Sequence, residues 1–224
     1  MIRELRKIYN DFFKGINCFI DKYYNSLTCN HIFESYMEFF NILKKFRGTS
    51  RNFTGLSEYF ILKFILRQLG NKFNLKQKTT DISVFNSIKD KDLIVGQGIG
   101  LKIDYEEIYP NGDFEVPKKK ESIKRPDISI HYKNKLIAVI EIKTYLTYKN
   151  TFNRTMKKLK EIHKCYSNDK GLIIIYHHPG QGSRLTEIKD AKDSFEWFNY
   201  IILQKNETLF KDELQEKLAL DEII

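Results

Sequence analysis

The sequence predicts an α/β protein: a mixed central sheet flanked by helices, with an N-terminal helical extension. Three observations carry this. The first fifty residues are rich in aromatic side chains and read as helix. Two short strand-like runs, Asp127 to Tyr132 and Leu136 to Lys143, are joined by a link short enough for a hairpin. A cationic helical stretch, Thr151 to Tyr166, then leads into the apolar run Gly171 to Tyr176. A run that is apolar at every position is the mark of a strand covered on both faces after a parallel crossover.

Taken in order, residues 2–25 and 30–47 are expected to be helices, punctuated at their end by Gly48-Thr49-Ser50. A third helix is expected from Thr54 to Leu69, closed by Gly70. On it Leu62, Ile65, Leu66 and Leu69 follow Glu58 at helical spacing, so Glu58 leads an apolar stripe turned to the core. Residues 71–116 are less legible. Leu93-Ile94-Val95 and Leu101 to Tyr105 read as short strands on either side of Gly96-Gln97-Gly98-Ile99-Gly100. That glycine run lacks the following helix that would receive a phosphate, and it reads as a flexible turn able to contact a ligand. A basic loop, Pro117 to Arg125, runs straight into Pro126-Asp127. Past Tyr176, His177-His178-Pro179-Gly180 reads as a loop, since neighbouring histidines on an extended chain diverge and rarely share one ion. Phe198 to Leu203 should add a strand, and Thr208 to Leu220 a helix. Residues 1–50 are assigned as the helical region packed on the core and 51–224 as a single main domain.

Composition narrows the classes. With 224 residues, 42% of them hydrophobic, the chain can bury one sizeable core. No apolar run has the length of a membrane span and no signal peptide is visible, so a cytoplasmic, prokaryotic-type location without membrane association is expected. Three widely spaced cysteines fit neither a disulfide framework nor a zinc pattern. Thirty-eight basic against 29 acidic residues give a net charge of +9, which favours a polyanionic partner through release of condensed counterions.

The chemistry is concentrated in Pro126-Asp127 and in Glu141-Ile142-Lys143. Glu141 and Lys143 lie within the apolar run from Leu136, and strand alternation puts both on one face, with Ile140 and Ile142 on the other. Charges in such a strand need a partner, a metal or water. A hairpin would bring Asp127 towards Glu141, and two adjacent carboxylates become favourable when a cation with oxygen ligands, naturally Mg²⁺, lies between them. The plainer reading is a turn aspartate beside a solvated Glu–Lys ion pair.

Together these residues resemble the signature of the PD-(D/E)xK nuclease superfamily, to which most type II restriction endonucleases belong. The resemblance covers about residues 54–176 and implies a restriction-endonuclease-like core. It further implies that Asp127 and Glu141 are metal ligands, with the Ile142 carbonyl completing the coordination, and that Lys143 positions or activates the attacking water. In this family a helix ahead of the sheet often supplies a further acidic residue. Glu58 is the candidate, against the alternative that it only complements the helix dipole, and Glu106 and Glu107 compete with it. The expectation is a Mg²⁺-dependent DNA endonuclease, with Mn²⁺ able to substitute. The elements beyond the core favour a sequence-specific type II restriction enzyme over a structure-specific or mobile-element nuclease or a non-catalytic DNA-binding module. Double-stranded DNA would be the partner, gripped by Lys118, Lys119, Lys120, Lys124, Arg125, Arg154 and Lys157, and a homodimer would match two sites to two strands.

Overall fold

In the computed structural model the chain is a mixed α/β protein, described over residues 17–47, 54–73, 87–89, 93–111, 114–145, 149–166, 169–177 and 185–219. After helical residues 17–23 come α1 (Cys29–Arg47) and α2 (Thr54–Phe73), then strands β1 (Ser87–Lys89), β2 (Leu93–Gln97), β3 (Leu101–Asn111) and β4 (Phe114–Lys124). The centre is β5 (Ile128–Tyr132), β6 (Lys135–Tyr145), α3 (Lys149–Tyr166) and β7 (Lys170–His177). The order closes with α4 (Leu185–Ser194), β8 (Phe198–Ile202) and α5 (Phe210–Leu218).

Six strands form one sheet in the order β1-β2-β5-β6-β7-β8, and β3 pairs β4 in a separate two-stranded ribbon. The sheet is antiparallel from β1 to β6 and parallel from β6 to β8, with α3 and α4 as the two crossovers. Two apolar clusters cover its faces. On one side Phe60, Phe64 and Ile65 of α2, Ile32 of α1 and Phe210 and Leu214 of α5 pack with Ala138, Ile140 and Ile142 of β6. On the other, Phe152, Met156, Leu159 and Ile162 of α3 pack with Val139, Ile173 and Ile175, joined by Leu101 and Ile103 at the base of the ribbon. Helices on both faces explain why β7 is buried from Gly171 to Tyr176.

The hairpin β5–β6 turns at Lys133-Asn134, both with positive φ (47° and 64°), as a two-residue turn matched to strand twist requires. Its ladder slips by one residue between Ile130 and His131: Ile130 faces Ala138 whereas His131 faces Leu136. Ile137 is the extra residue of this β-bulge. Leu136 and Val139, three positions apart, therefore belong to the same apolar cluster, and the alternation that presents Glu141 and Lys143 starts only at Ala138.

Several sequence expectations change. Helix α2 runs through Gly70 to Phe73, because its buried stripe Phe60, Leu62, Ile65, Leu66 and Leu69 holds it against the sheet and a glycine costs only about 1 kcal/mol within a helix. The basic stretch before Arg125 is not a loop. It is strand β4, paired residue by residue with β3 from Leu101↔Lys124 to Asn111↔Phe114. Helix α4 has no counterpart among the sequence expectations, since only Ile188 of it is fully buried and the apolar period is short. The last helix is shorter than expected, ending at Leu218 with Ala219 in the left-handed conformation. His177 closes β7 opposite Tyr145, while 178–180 and 1–16 lie outside the described residues.

Gly171 shows how tightly the far end of the sheet is packed. A Cβ built there would lie 2.6 Å from the Trp197 ring, which is itself stacked on His163 at 4.4 Å between centroids. Gly171→Ala should therefore cost about 1–3 kcal/mol through overpacking, visible as a lowered melting temperature. An unchanged melting temperature would mean that Trp197 can move aside.

Candidate functional site

Asp127 lies just before β5, one position beyond the last ladder pair Ile128↔Ile140. Its side chain takes up the pairing instead: Ile142 N–H donates to Asp127 Oδ2 at 2.6 Å. The main chain of Asp127 is fixed from the other side, its carbonyl accepting from Gly98 N–H at 3.2 Å, with Gly98 at φ +64° in the turn after β2. The glycine run thus forms a wall of the site, and a left-handed residue is needed where it turns.

Three oxygens converge on Lys143 Nζ. It donates to Glu141 Oε2 at 2.8 Å, to Asp127 Oδ2 at 3.1 Å and to the Ile142 carbonyl at 3.2 Å. Glu141 is almost fully enclosed, at 1% exposure, which rules out a solvated surface ion pair. Its second oxygen, Oε1, is 2.5 Å from Lys158 Nζ on α3, as an ion pair without hydrogen-bond alignment. A carboxylate buried this deeply is tolerated because each oxygen faces its own ammonium.

Glu58 joins the same constellation from α2. It lies beyond the first helical turn, which holds no acidic residue, so complementing the helix dipole does not account for it. Gln97, at the end of β2, donates its amide to Glu58 Oε2. Burial pushes the Glu58 carboxyl up to about 7 and the charges of Asp127 and Glu141 push the same way, while the Gln97 bond and Lys143 oppose them. For Lys143, burial pulls the ammonium down, but Glu141 and Asp127 outweigh it and hold it above the ordinary lysine value. Lys143 is therefore a fixed cation at neutral pH. The anchorage of Glu58 runs through the core: Tyr176, fully enclosed on β7, donates its hydroxyl to the carbonyl of Ser57 at 2.9 Å.

These values yield a signed expectation for Glu58→Gln. The ordinary glutamate value is 4.5 and the folded one is about 7, so the wild type gains stability as pH falls through that window and carries the full cost of the charged form above it. In metal-free buffer the glutamine variant should lose this pH dependence and melt higher than wild type at pH above about 7. Parallel melts across the window test it, and a variant melting lower throughout would make Glu58 a structural support.

Asp127, Glu141, Lys143 and Glu58 are thus brought together as the sequence suggested, and the Ile142 carbonyl points to the same focus. Glu106 and Glu107 are on β3, in register with Lys119 and Lys118 of β4. Among the cationic candidates Lys124 and Lys157 both face Glu161, at 2.7 Å and 3.9 Å, and Arg125, Arg154 and Lys157 are exposed. Lys118, Lys119 and Lys120 lie on β4. Two residues of the site carry no signal in the sequence that singles them out. Gln97 sits within the glycine run, where no pattern marks it. Lys158 is one of six lysines and arginines on its helix, although its place beside the buried positions Thr155 and Leu159 puts it at the edge of the packed face. Among the described residues, no group of three or more histidine, cysteine or acidic side chains is already assembled as a metal cage. No helix there is long and apolar enough to cross a membrane.

No protein-family model matches the chain, and no curated protein matches it.

Proposed function

We propose that the chain is a Mg²⁺-dependent endonuclease acting on double-stranded DNA, of the PD-(D/E)xK type. The observation that carries this reading is the convergence of Asp127 Oδ2, Glu141 Oε2 and the Ile142 carbonyl on one cation. Two carboxylates and a main-chain carbonyl are a hard-oxygen donor set of the kind that suits Mg²⁺. The Lys143 ammonium fills the focus as a stand-in ion, so the residues present fit such a group. Asp127, Glu141 and Ile142 would hold it. When bound, a divalent cation there supplies polarisation of a phosphoryl oxygen and acidifies water.

The other roles belong to the chain itself. Lys143, a fixed cation on a long flexible stem, donates to the negative charge that grows on the phosphate as water attacks. Glu58, oriented by Gln97 beside the focus, would bind a second cation or hold an outer-shell water. Glu58→Gln should then lower cleavage several-fold or more, in addition to its effect on melting. The cations on β4 and on α3 meet the backbone of DNA, contributing position without sequence. Changing Lys118, Lys119 and Lys120 together to alanine should flatten the salt dependence of DNA binding by about 0.9 log units for each phosphate no longer neutralised. An unchanged slope would place that part of the ribbon away from DNA.

Within this class the reading favours a homodimeric type II restriction enzyme, since α4, β8 and α5 come after the site-bearing strands and offer surface for base recognition. Incubation of plasmid and phage DNA with the protein and Mg²⁺, followed by end sequencing, tests it. Discrete fragments with a common end sequence support it, cleavage confined to branched junctions favours a structure-specific nuclease, and no Mg²⁺-dependent cleavage of any substrate overturns the reading.

A further inference from the structure

The Lys158 contact is the least expected feature of the site. Lys158 comes from the covering helix α3, not from the signature strand. Its ammonium lies 2.5 Å from Glu141 Oε1 and donates to the Arg125 carbonyl at 3.2 Å. With Glu141 and Lys143 of β6 it also lines a cleft of about 470 Å³, whose other charged residues are Lys124, Arg154, Lys157 and Glu161. Lys158 therefore has two anionic partners within reach of its stem: the Glu141 carboxylate in the wall of the cleft and any anion entering the cleft. Its side chain keeps 26% exposure, so the forward path is open.

We propose that Lys158 is an exchangeable counter-ion, neutralising Glu141 in the free protein and moving to a backbone phosphate when nucleic acid fills the cleft. Glu141 is then released to a divalent cation only where a phosphate has arrived. This rests on the metal-dependent reading above and adds to it a coupling between two ligands. Charge balance supplies the reason. A divalent cation at the focus must displace Lys143 from Glu141 Oε2 and also meets the like charge of Lys158, 2.5 Å from Glu141 Oε1. A phosphate in the cleft draws Lys158 forward and lowers the second of these obstacles, leaving Lys143 as the only ammonium on that carboxylate. Because linkage is reciprocal, the cation must tighten nucleic-acid binding by the same factor as nucleic acid tightens the cation.

Calorimetric titration with Mn²⁺, on the full chain alone and saturated with a short duplex whose linkages are non-hydrolysable, tests this. Wild type should bind Mn²⁺ roughly tenfold more tightly with duplex present, as expected of a coupling of ordinary size. Lys158→Ala should bind Mn²⁺ more tightly than wild type without duplex and lose most of the gain with it. Lys158→Arg, which retains the cation, should keep part of the coupling. Thermal melts of each variant show that it is folded. Mn²⁺ affinity in wild type that is indifferent to duplex, or an unchanged coupling in Lys158→Ala, overturns the exchange while leaving the nuclease reading standing. Mn²⁺ binding that persists unaltered in Glu141→Gln would instead remove the metal site itself, and the exchange with it.

Discussion

Asp127→Ala is expected to abolish Mg²⁺-dependent cleavage while leaving the protein folded and able to bind DNA. Asp127 Oδ2 is shared between the Ile142 N–H and the Lys143 ammonium, so truncation removes an oxygen proposed to hold the cation and the clamp that aligns the start of β5 with β6. The structural cost is bounded. One main-chain donor loses its partner, worth about 1–3 kcal/mol, against a stability of about 5–15 kcal/mol for a typical domain. Asp127→Asn separates the two roles, since an amide oxygen can still accept from Ile142 but carries no charge. It too should be inactive. Glu141→Ala should match Asp127→Ala in activity, with the difference that two ammoniums, from Lys143 and Lys158, lose their common carboxylate. Cleavage assays alongside circular dichroism and fluorescence anisotropy decide the matter: turnover near the wild-type rate in either variant would strike that residue from the ligand set.

Lys143→Ala should reduce cleavage by at least about 10², the usual penalty for losing a charge contact to the reacting group. The effect is electrostatic. Its ammonium is the centre on which Asp127, Glu141 and the Ile142 carbonyl converge, and it is held above the ordinary lysine value, so it acts as a cation and not as a base. Divalent-cation binding should survive the change, since the three oxygens remain. In metal-free buffer the variant should also melt lower, because Asp127, Glu141 and Glu58 are left with less compensation. Single-turnover rates together with calorimetry read both effects, and loss of the metal site itself would contradict this role.

Much of the site is legible in the residues. The pairing of Asp127 with the Glu141 strand follows from a two-residue turn between alternating runs, and the burial of Gly171 to Tyr176 from a run without a polar interruption. Glu58 is recoverable because helical spacing ties it to Leu62, Ile65 and Leu69. The illegible part depends on geometry that no local pattern encodes. The bulge at Ile137 changes the phase of β6 within an unbroken apolar run, so alternation counted from Leu136 puts that residue on the wrong face. The ribbon β3–β4 reads poorly because its charged positions Lys118, Lys119 and Lys120 look like a loop until they are set against β3. Gln97 and Lys158 reach the site only through tertiary packing.

The ammonium of Lys143 at the oxygen focus has a consequence for how the protein is made and kept. Many small metal sites fold only when the ion is supplied, because their ligands repel one another without it, so a chelator denatures them. Under the proposed function, the carboxylates that would hold the ion already have counter-charges of the chain's own, Lys143 and Lys158. Chelation should therefore silence the protein without unfolding it. On that proposal, the chain can be synthesised, stored and diluted where divalent cations are scarce, and their return should need no refolding step.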